Sequence, residues 1–370
     1  MAKRVLLITM GGTIEGNVAT TKKAEDDLIK GADGFKGILD GIAVSIKKTM
    51  KIDVDVEEHK VADIDSSNLI PSEHWPQLAD VIKGRYDEFD AFLITHGTNT
   101  MGYTAAALSF SLINLDKPVI ITGSQVPFGM PGSDALMNLE NSMRIAVKDA
   151  EGEQVKGVLA VFGSHIITGT RVKKSTEFDY DAFKSFGSAS IGRIGRIVDI
   201  DKEALDKHIG YLSTGAYRRA KNASELRCEK EFDMRIASLT EFPGMDERFF
   251  ETLVEQNDVQ GFILRAFGAG DASENLLSAF EYLKNRGVPI VITTQAPSGN
   301  SNFQVNEPGQ NIKKLELAIP AYDMSIESQT AKLAWLLAKK GRKEISYKQL
   351  CEDMTLDMRG EVNVRWESEL

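Results

Sequence analysis

The sequence predicts an α/β protein of two domains: a larger N-terminal domain built on a mostly parallel sheet with helices on both faces, and a smaller C-terminal α/β domain. Three observations lead there. Short apolar runs alternate with stretches of helical spacing, the pattern of parallel strands joined by crossover helices. The runs are continuously apolar, as in a sheet covered on both faces. At 370 residues the chain exceeds one ordinary domain but suits one large and one smaller domain.

The expected strands of the first domain are VLLIT (5–9), VDVE (54–57), AFLIT (91–95), PVIITG (118–123) and GVLAVFG (157–163). Between them, SEHWPQLADVIKGRY (72–86) and TAAALSFSLINL (104–115) carry apolar residues at helical spacing. Ser133 is a candidate N-cap for a further helix over 134–147. From about 200 to 233 the chain turns charged and small-residue-rich without sustained periodicity, which marks a connection between domains. The expected division is therefore 1–205, a connecting segment 206–235, and 236–370. In the last part the rhythm returns: strands in RIASLTEF, GFILRAFG and VPIVITT, and helices in DERFFETLVEQ, ENLLSAFEYLKNRG and SIESQTAKLAWLLAKKG.

Composition narrows the function classes. Apolar residues at 42% can fill more than one core, and the 26% that are charged are well mixed, so no block reads as disordered. A net charge of -10 argues against nucleic acid as a partner. Cys228 and Cys351 are the only cysteines, too few for a disulfide framework or a thiolate metal site, which suits a reducing compartment. The histidines have no metal-ligand spacing, so neither metal nor cofactor is expected. The first apolar run ends at Gly11 and Gly12, short of a signal-peptide core, and no stretch is long enough to span a bilayer. The expected location is the cytoplasm.

The polar loops that follow the strands carry the chemistry, because open α/β sheets bind ligands at the carboxyl ends of their strands. AFLIT runs into HGTNTMGYT, which gathers His96, Thr98 and Asn99 around Gly97. VLLIT runs into MGGTIEG, which sets Thr13 after Gly12. A threonine hydroxyl is a poor nucleophile until a base takes its proton. GTRVKKST (169–176) offers Lys173 and Lys174, and a buried lysine can have its pKa lowered enough to serve. The loops DSSN, with Asp65 and Ser66, and GSQVP, with Gln125, supply small polar groups suited to a small polar or zwitterionic ligand. His96 is expected to hydrogen-bond within its own loop.

Taken together, GGTIEG, DSSN, THGTNTMGYTAAALSF, KPVIITGSQVP, GTRVKKST, FPGM, LRAFGAGDA, TTQAPSG and DMSIESQTAKL resemble the bacterial-type L-asparaginase family, most closely its cytoplasmic type I branch. The resemblance implies an amidohydrolase that releases ammonia from the side-chain amide of asparagine. It implies that Thr13 is the nucleophile, that Thr98 and Lys174 form the proton relay, that Ser66 holds the substrate carboxylate, and that Gln125 lines the amide pocket. It also implies a dimer of dimers, with asparagine or aspartate as the bound partner.

Two departures stand out. Asn99 occupies the position where the family has an aspartate that binds the substrate ammonium and completes the relay. No tyrosine occurs between Thr13 and Tyr86, although the family places one beside the nucleophile; Thr20, Thr21 and Glu25 are the stand-ins nearby. Ala296 stands where an effector-site cysteine can occur in the type I branch, so allosteric regulation does not carry over. The leading expectation is an asparaginase-type enzyme attenuated by Asn99. A weak or inactive amino-acid-binding relative is the alternative. A subunit of a tRNA-dependent amidotransferase is a third reading, disfavoured by the acidic charge and by GGTIEG falling at the start of the sequence.

Overall fold

The structure, a computed structural model, describes residues 2–11, 31–150, 153–214 and 225–363. It forms two compact units, Met1–Ser185 with Ala189–Glu229, and Phe186–Ser188 with Lys230–Leu370.

The sheet of the first unit runs in the order Val198–Ile200, Gly192–Ile194, His165–Thr168, Gly157–Phe162, Pro118–Thr122, Ala91–Thr95, Lys3–Thr9, Val54–Lys60. The last five are mutually parallel, and the first three extend the sheet as an antiparallel edge. Period-two alternation splits the apolar strands between two cores. Leu6, Ile8, Phe92, Ile94, Val119 and Ile121 face the helices Pro71–Gly84 and Met101–Ser111. Val5, Leu7, Leu93 and Ile120 face Gly31–Met50 and Ala135–Val147. This is the doubly covered sheet expected from the sequence. Val54–Lys60, the edge strand among the described residues, alternates half-buried and exposed residues, and its charges disfavour pairing with another strand.

The helix over 134–147 forms, but its cap differs from expectation. Asp134 takes the N-cap position, with Ala135 as first helical residue. Ser133 lies one residue earlier, and its Oγ accepts from the Ala135 amide at 3.2 Å. The Asp134 carboxylate is turned instead to the preceding loop, accepting from the amides of Gln125 and Val126.

The expected connecting segment, 206–235, begins within a helix, Lys202–Thr214. Leu205 is buried in the first unit's core, and His208 is buried with its Nε2 against the Lys156 carbonyl at 3.1 Å. Leu205 and Ile209 meet the core from a helix whose remaining residues are mostly charged, small or polar, which leaves little periodicity to read. The first unit extends to Glu229 through Arg227–Cys228, which pairs with Leu112–Ile113.

The second unit holds a parallel sheet in the order Ile236–Thr240, Gly261–Ala266, Ile290–Thr294, Ile319–Pro320. Phe250, Phe262 and Phe280 centre its core, with ring centroids 5.2 and 5.9 Å from Phe250. Ser325 caps the helix Ile326–Gly341 by accepting from the Ser328 amide. The buried Lys332 ammonium on this helix donates to Glu361 at 2.6 Å and to the Leu356 carbonyl at 2.5 Å, tying down the loop that follows the helix Tyr347–Thr355. Glu307–Lys314 and Tyr347–Thr355 are helices that the sequence reading leaves unassigned. Among the described residues no helix is long and apolar enough to cross a membrane.

Candidate active site

The first strand has Val54–Lys60 on one side and Ala91–Thr95 on the other. The chain therefore moves one way after its first strand and the other way after its second. Loops diverge at such a switch point and leave a crevice at the carboxyl ends of the strands. Thr9, Thr95 and Thr122 are in register across three adjacent strands, so the chain leaves these strands side by side at Met10, His96 and Gly123.

Glycines allow these loops to pack closely. Gly11 has φ +81°, and a Cβ there would lie 2.6 Å from the Ile64 amide nitrogen; the Ile64 N–H donates to the Met10 carbonyl at 3.2 Å. A Cβ on Gly123 would lie 2.4 Å from the His96 carbonyl oxygen. Gly169 sits on the helix Met101–Ser111, where a Cβ would meet Ser109 Oγ at 2.4 Å. This contact brings the short strand Val172–Lys174 alongside the start of that helix, and its pairing with Phe183–Ser185 fixes it there.

The result is a contact between residues far apart in sequence. Lys174 Nζ donates to Thr98 Oγ1 at 3.0 Å and to Asn99 Oδ1 at 3.1 Å. Asn99 Nδ2 donates to Ser67 Oγ at 3.1 Å. Thr98 is buried, Lys174 half-buried, and Asn99 and Ser67 exposed. An ammonium has only donors, so the atom of Asn99 that meets Lys174 must be the oxygen. The NH₂ group is then aimed at Ser67. Burial pulls the Lys174 amine below the ordinary lysine value, and the charge of Glu177 opposes that pull.

Beneath this contact, His96 Nδ1 donates to the Gly97 carbonyl at 2.8 Å, since a carbonyl can only accept. Its Nε2 must then accept from Thr104 Oγ1 at 2.9 Å, and Thr104 Oγ1 in turn accepts from Trp75 Nε1 at 3.0 Å. Burial pushes the imidazole down to about 4, against the Gly97 bond, so His96 is neutral at physiological pH. It holds its loop, as expected from the sequence.

The other candidate residues are placed as follows. Gln125 Nε2 donates to the carbonyls of Glu177 (2.7 Å) and Asp179 (3.3 Å), bracing the loop that follows Lys174. Asp65 Oδ1 accepts from the Ser67 amide and caps the turn Ser66–Asn68. Gly97 is buried, with its carbonyl on His96. Thr13 and Gly12 lie outside the described residues, as do Thr20, Thr21, Glu25 and the side chain of Ser66. Lys173 shares the strand with Lys174, but it is Lys174 that meets Thr98.

Two further contributors, Asp134 and Asn138, are not marked out by the sequence, and a third, Ser67, lies in the DSSN loop whose two serines the sequence offers for binding. Ser67 meets Asn99, whereas the resemblance points only to its neighbour in DSSN. Asp134 holds the amides of Gln125 and Val126, and Asn138 bridges the Gly123 carbonyl and the Gly163 amide. A carboxylate directly after a candidate N-cap and near a strand-end loop is the available signal for Asp134. Asn138 carries none. Among the described residues no group of three His, Cys, Asp or Glu side chains could hold a metal ion. The arrangement offers a hydroxyl, an amine that can exchange a proton with it, and an exposed amide, which together suit proton transfer during attack on a polar carbonyl.

Comparison with known proteins identifies the family. The family model "Asparaginase, N-terminal" matches residues 4–206, and "Glutaminase/Asparaginase C-terminal domain" matches residues 235–348. The chain is 32% identical over 301 residues to L-asparaginase 1 of Escherichia coli (strain K12), covering 81% of this chain and 82% of that one. It is 31% identical to a glutamyl-tRNA(Gln) amidotransferase subunit of Aeropyrum pernix, over 98% of this chain and 80% of that protein. Among solved structures, L-asparaginase I from Vibrio cholerae superposes with a TM-score of 0.78 at 28% identity, over 98% of this chain and all of that one.

Proposed function

Because the chain belongs to the asparaginase family, we propose that it is an amidohydrolase that cleaves the side-chain amide of asparagine or a related small amide to the acid and ammonia. The observation that carries this reading is the 3.0 Å contact between Lys174 Nζ and Thr98 Oγ1 at the switch point of the sheet. Neutral Lys174 accepts the Thr98 proton while Thr98 accepts that of the attacking hydroxyl, so the attacking oxygen bonds the amide carbon as it loses its proton. The proton returns to the amide nitrogen, the C–N bond breaks, and ammonia leaves. Water then attacks the ester by the same relay, releasing the carboxylic acid and restoring the hydroxyl.

Thr13 is the nucleophile in this scheme, on the strength of the family resemblance and of its place in the sequence soon after the strand that pairs with Ala91–Thr95. The test is ammonia release from amino-acid amides by the wild-type protein and by Thr13→Ala. Activity lost in the variant supports the scheme, and equal activity in both sinks it. A cytoplasmic homotetramer completes the proposal, and light scattering at working concentration checks the assembly.

A second reading follows from the similarity to the amidotransferase of Aeropyrum pernix. In that case ammonia release from free amides would be weak alone and rise on adding a partner protein that accepts the ammonia.

A further inference from the structure

The orientation of Asn99 bears on which amide the site takes. Lys174 holds the Asn99 oxygen, which forces the NH₂ group outward beside Ser67 Oγ. One N–H is engaged by Ser67, and the other has no partner among the described residues. A substrate group meeting this exposed edge therefore finds a donor, with the Lys174 amine behind it.

The nearby carboxylates among the described residues do not change that character. Both hydrogen-bond acceptors of Lys174 among the described residues, Thr98 and Asn99, are neutral. Glu177 acts on Lys174 through its charge alone. Asp65 turns one oxygen back to its own Ser67 amide. A substrate ammonium placed against the Asn99 NH₂ group would meet N–H against N–H, which is unfavourable. An oxygen at the same place would accept from Asn99.

Resting on the amidohydrolase reading above, we infer that Asn99 is a specificity-determining residue that turns the site toward four-carbon monoamides whose α-substituent is uncharged and presents an acceptor oxygen. An α-hydroxy group and an acylated α-nitrogen share that chemistry. L-Asparagine, with its α-ammonium, is the disfavoured member of the series.

The experiment measures kcat/KM for ammonia release from 2-hydroxysuccinamate, N-acetyl-L-asparagine, succinamate and L-asparagine, for the wild-type protein and Asn99→Asp. The wild type should favour one or both acceptor-bearing amides over L-asparagine by about ten- to a hundredfold, the range set by one charge-assisted hydrogen bond. Succinamate should fall between them. Asn99→Asp should reverse the order. Which of the two acceptor-bearing amides is better separates a small α-oxygen from an acylated nitrogen.

A wild type that prefers L-asparagine overturns the inference while leaving the amidohydrolase reading intact. If the wild type releases ammonia from none of the four, the amidohydrolase reading fails, and calorimetry with L-malate and L-aspartate still tests the pocket. Tighter malate then supports the assignment of Asn99, and tighter aspartate overturns it.

Discussion

Replacing Asn99 by aspartate should move the pH dependence of the reaction, and the size of the move follows from the geometry. The variant sets a carboxylate oxygen where Asn99 Oδ1 now lies, 3.1 Å from Lys174 Nζ. Two unit charges at that separation attract by about 1.3 kcal/mol in water-like surroundings and by about 5 kcal/mol at an effective dielectric of about 20. Asn99 is exposed and Lys174 only half-buried, so the lower part of that range applies, roughly 1.5 to 3 kcal/mol. At about 1.36 kcal/mol per pH unit, this is a displacement of roughly one to two pH units.

The sign is fixed. A carboxylate favours the ammonium form, so Lys174 gives up its proton at higher pH, whereas burial in the wild type favours the neutral amine. If neutral Lys174 is the base, kcat/KM rises with pH as Lys174 deprotonates, and that rising limb shifts to alkaline pH in Asn99→Asp. The assay is ammonia release from N-acetyl-L-asparagine across the neutral and alkaline range, an amide with no ammonium of its own to titrate. Superimposable profiles, or a limb shifted toward acid, would refute the reasoning.

Further predictions concern the frame of the site and the two cores. Gly123→Ala drives a methyl to 2.4 Å from the His96 carbonyl; urea unfolding should show a loss of about 1 to 3 kcal/mol, with reduced ammonia release as the Thr98 loop shifts. His208 is held at about 4 by burial, below the 6.5 of an unburied histidine. The unfolded chain therefore binds the extra proton as pH falls through this window, and stability drops by up to about 3 kcal/mol for this group. The slope of unfolding free energy against pH should flatten there in His208→Gln. Lys332→Met leaves Glu361 charged and buried without its partner, at a loss of about 3 to 5 kcal/mol. Adding Glu361→Gln should recover part of that loss in the same denaturation assay.

The parts of the fold legible in the sequence are those where one physical demand dominates. VLLIT, AFLIT, PVIIT and GVLAVF are apolar on both faces because both faces are covered, and no exposed strand would tolerate that. The polar loops after them follow from the same logic, since a buried strand must end in groups that reach water or ligand. The antiparallel edge formed by His165–Thr168, Gly192–Ile194 and Val198–Ile200 is not legible, because runs of three or four residues carry too little pattern.

Within the candidate site, residue types are readable but directions are not. Choosing Lys174 over Lys173 from the residues alone requires the register of a three-residue strand against Phe183–Ser185. Gln125 has the composition of a pocket residue, yet its amide reaches the carbonyls of Glu177 and Asp179. The orientation of Asn99 is imposed by a lysine 75 positions away. No local pattern carries that information, because it arises only when the turn at Gly169 packs on the helix that follows Thr98.

The central claim is that Lys174, through Thr98, moves the proton during amide hydrolysis. The measurement that tests it most directly is kcat for ammonia release by Lys174→Met beside the wild type, on whichever amide the wild type turns over best, with circular dichroism to verify the fold. In Lys174→Met, kcat should fall by about a hundredfold or more, as for loss of a general base, with an unchanged spectrum. A Lys174→Met protein that keeps the wild-type kcat would contradict the central claim.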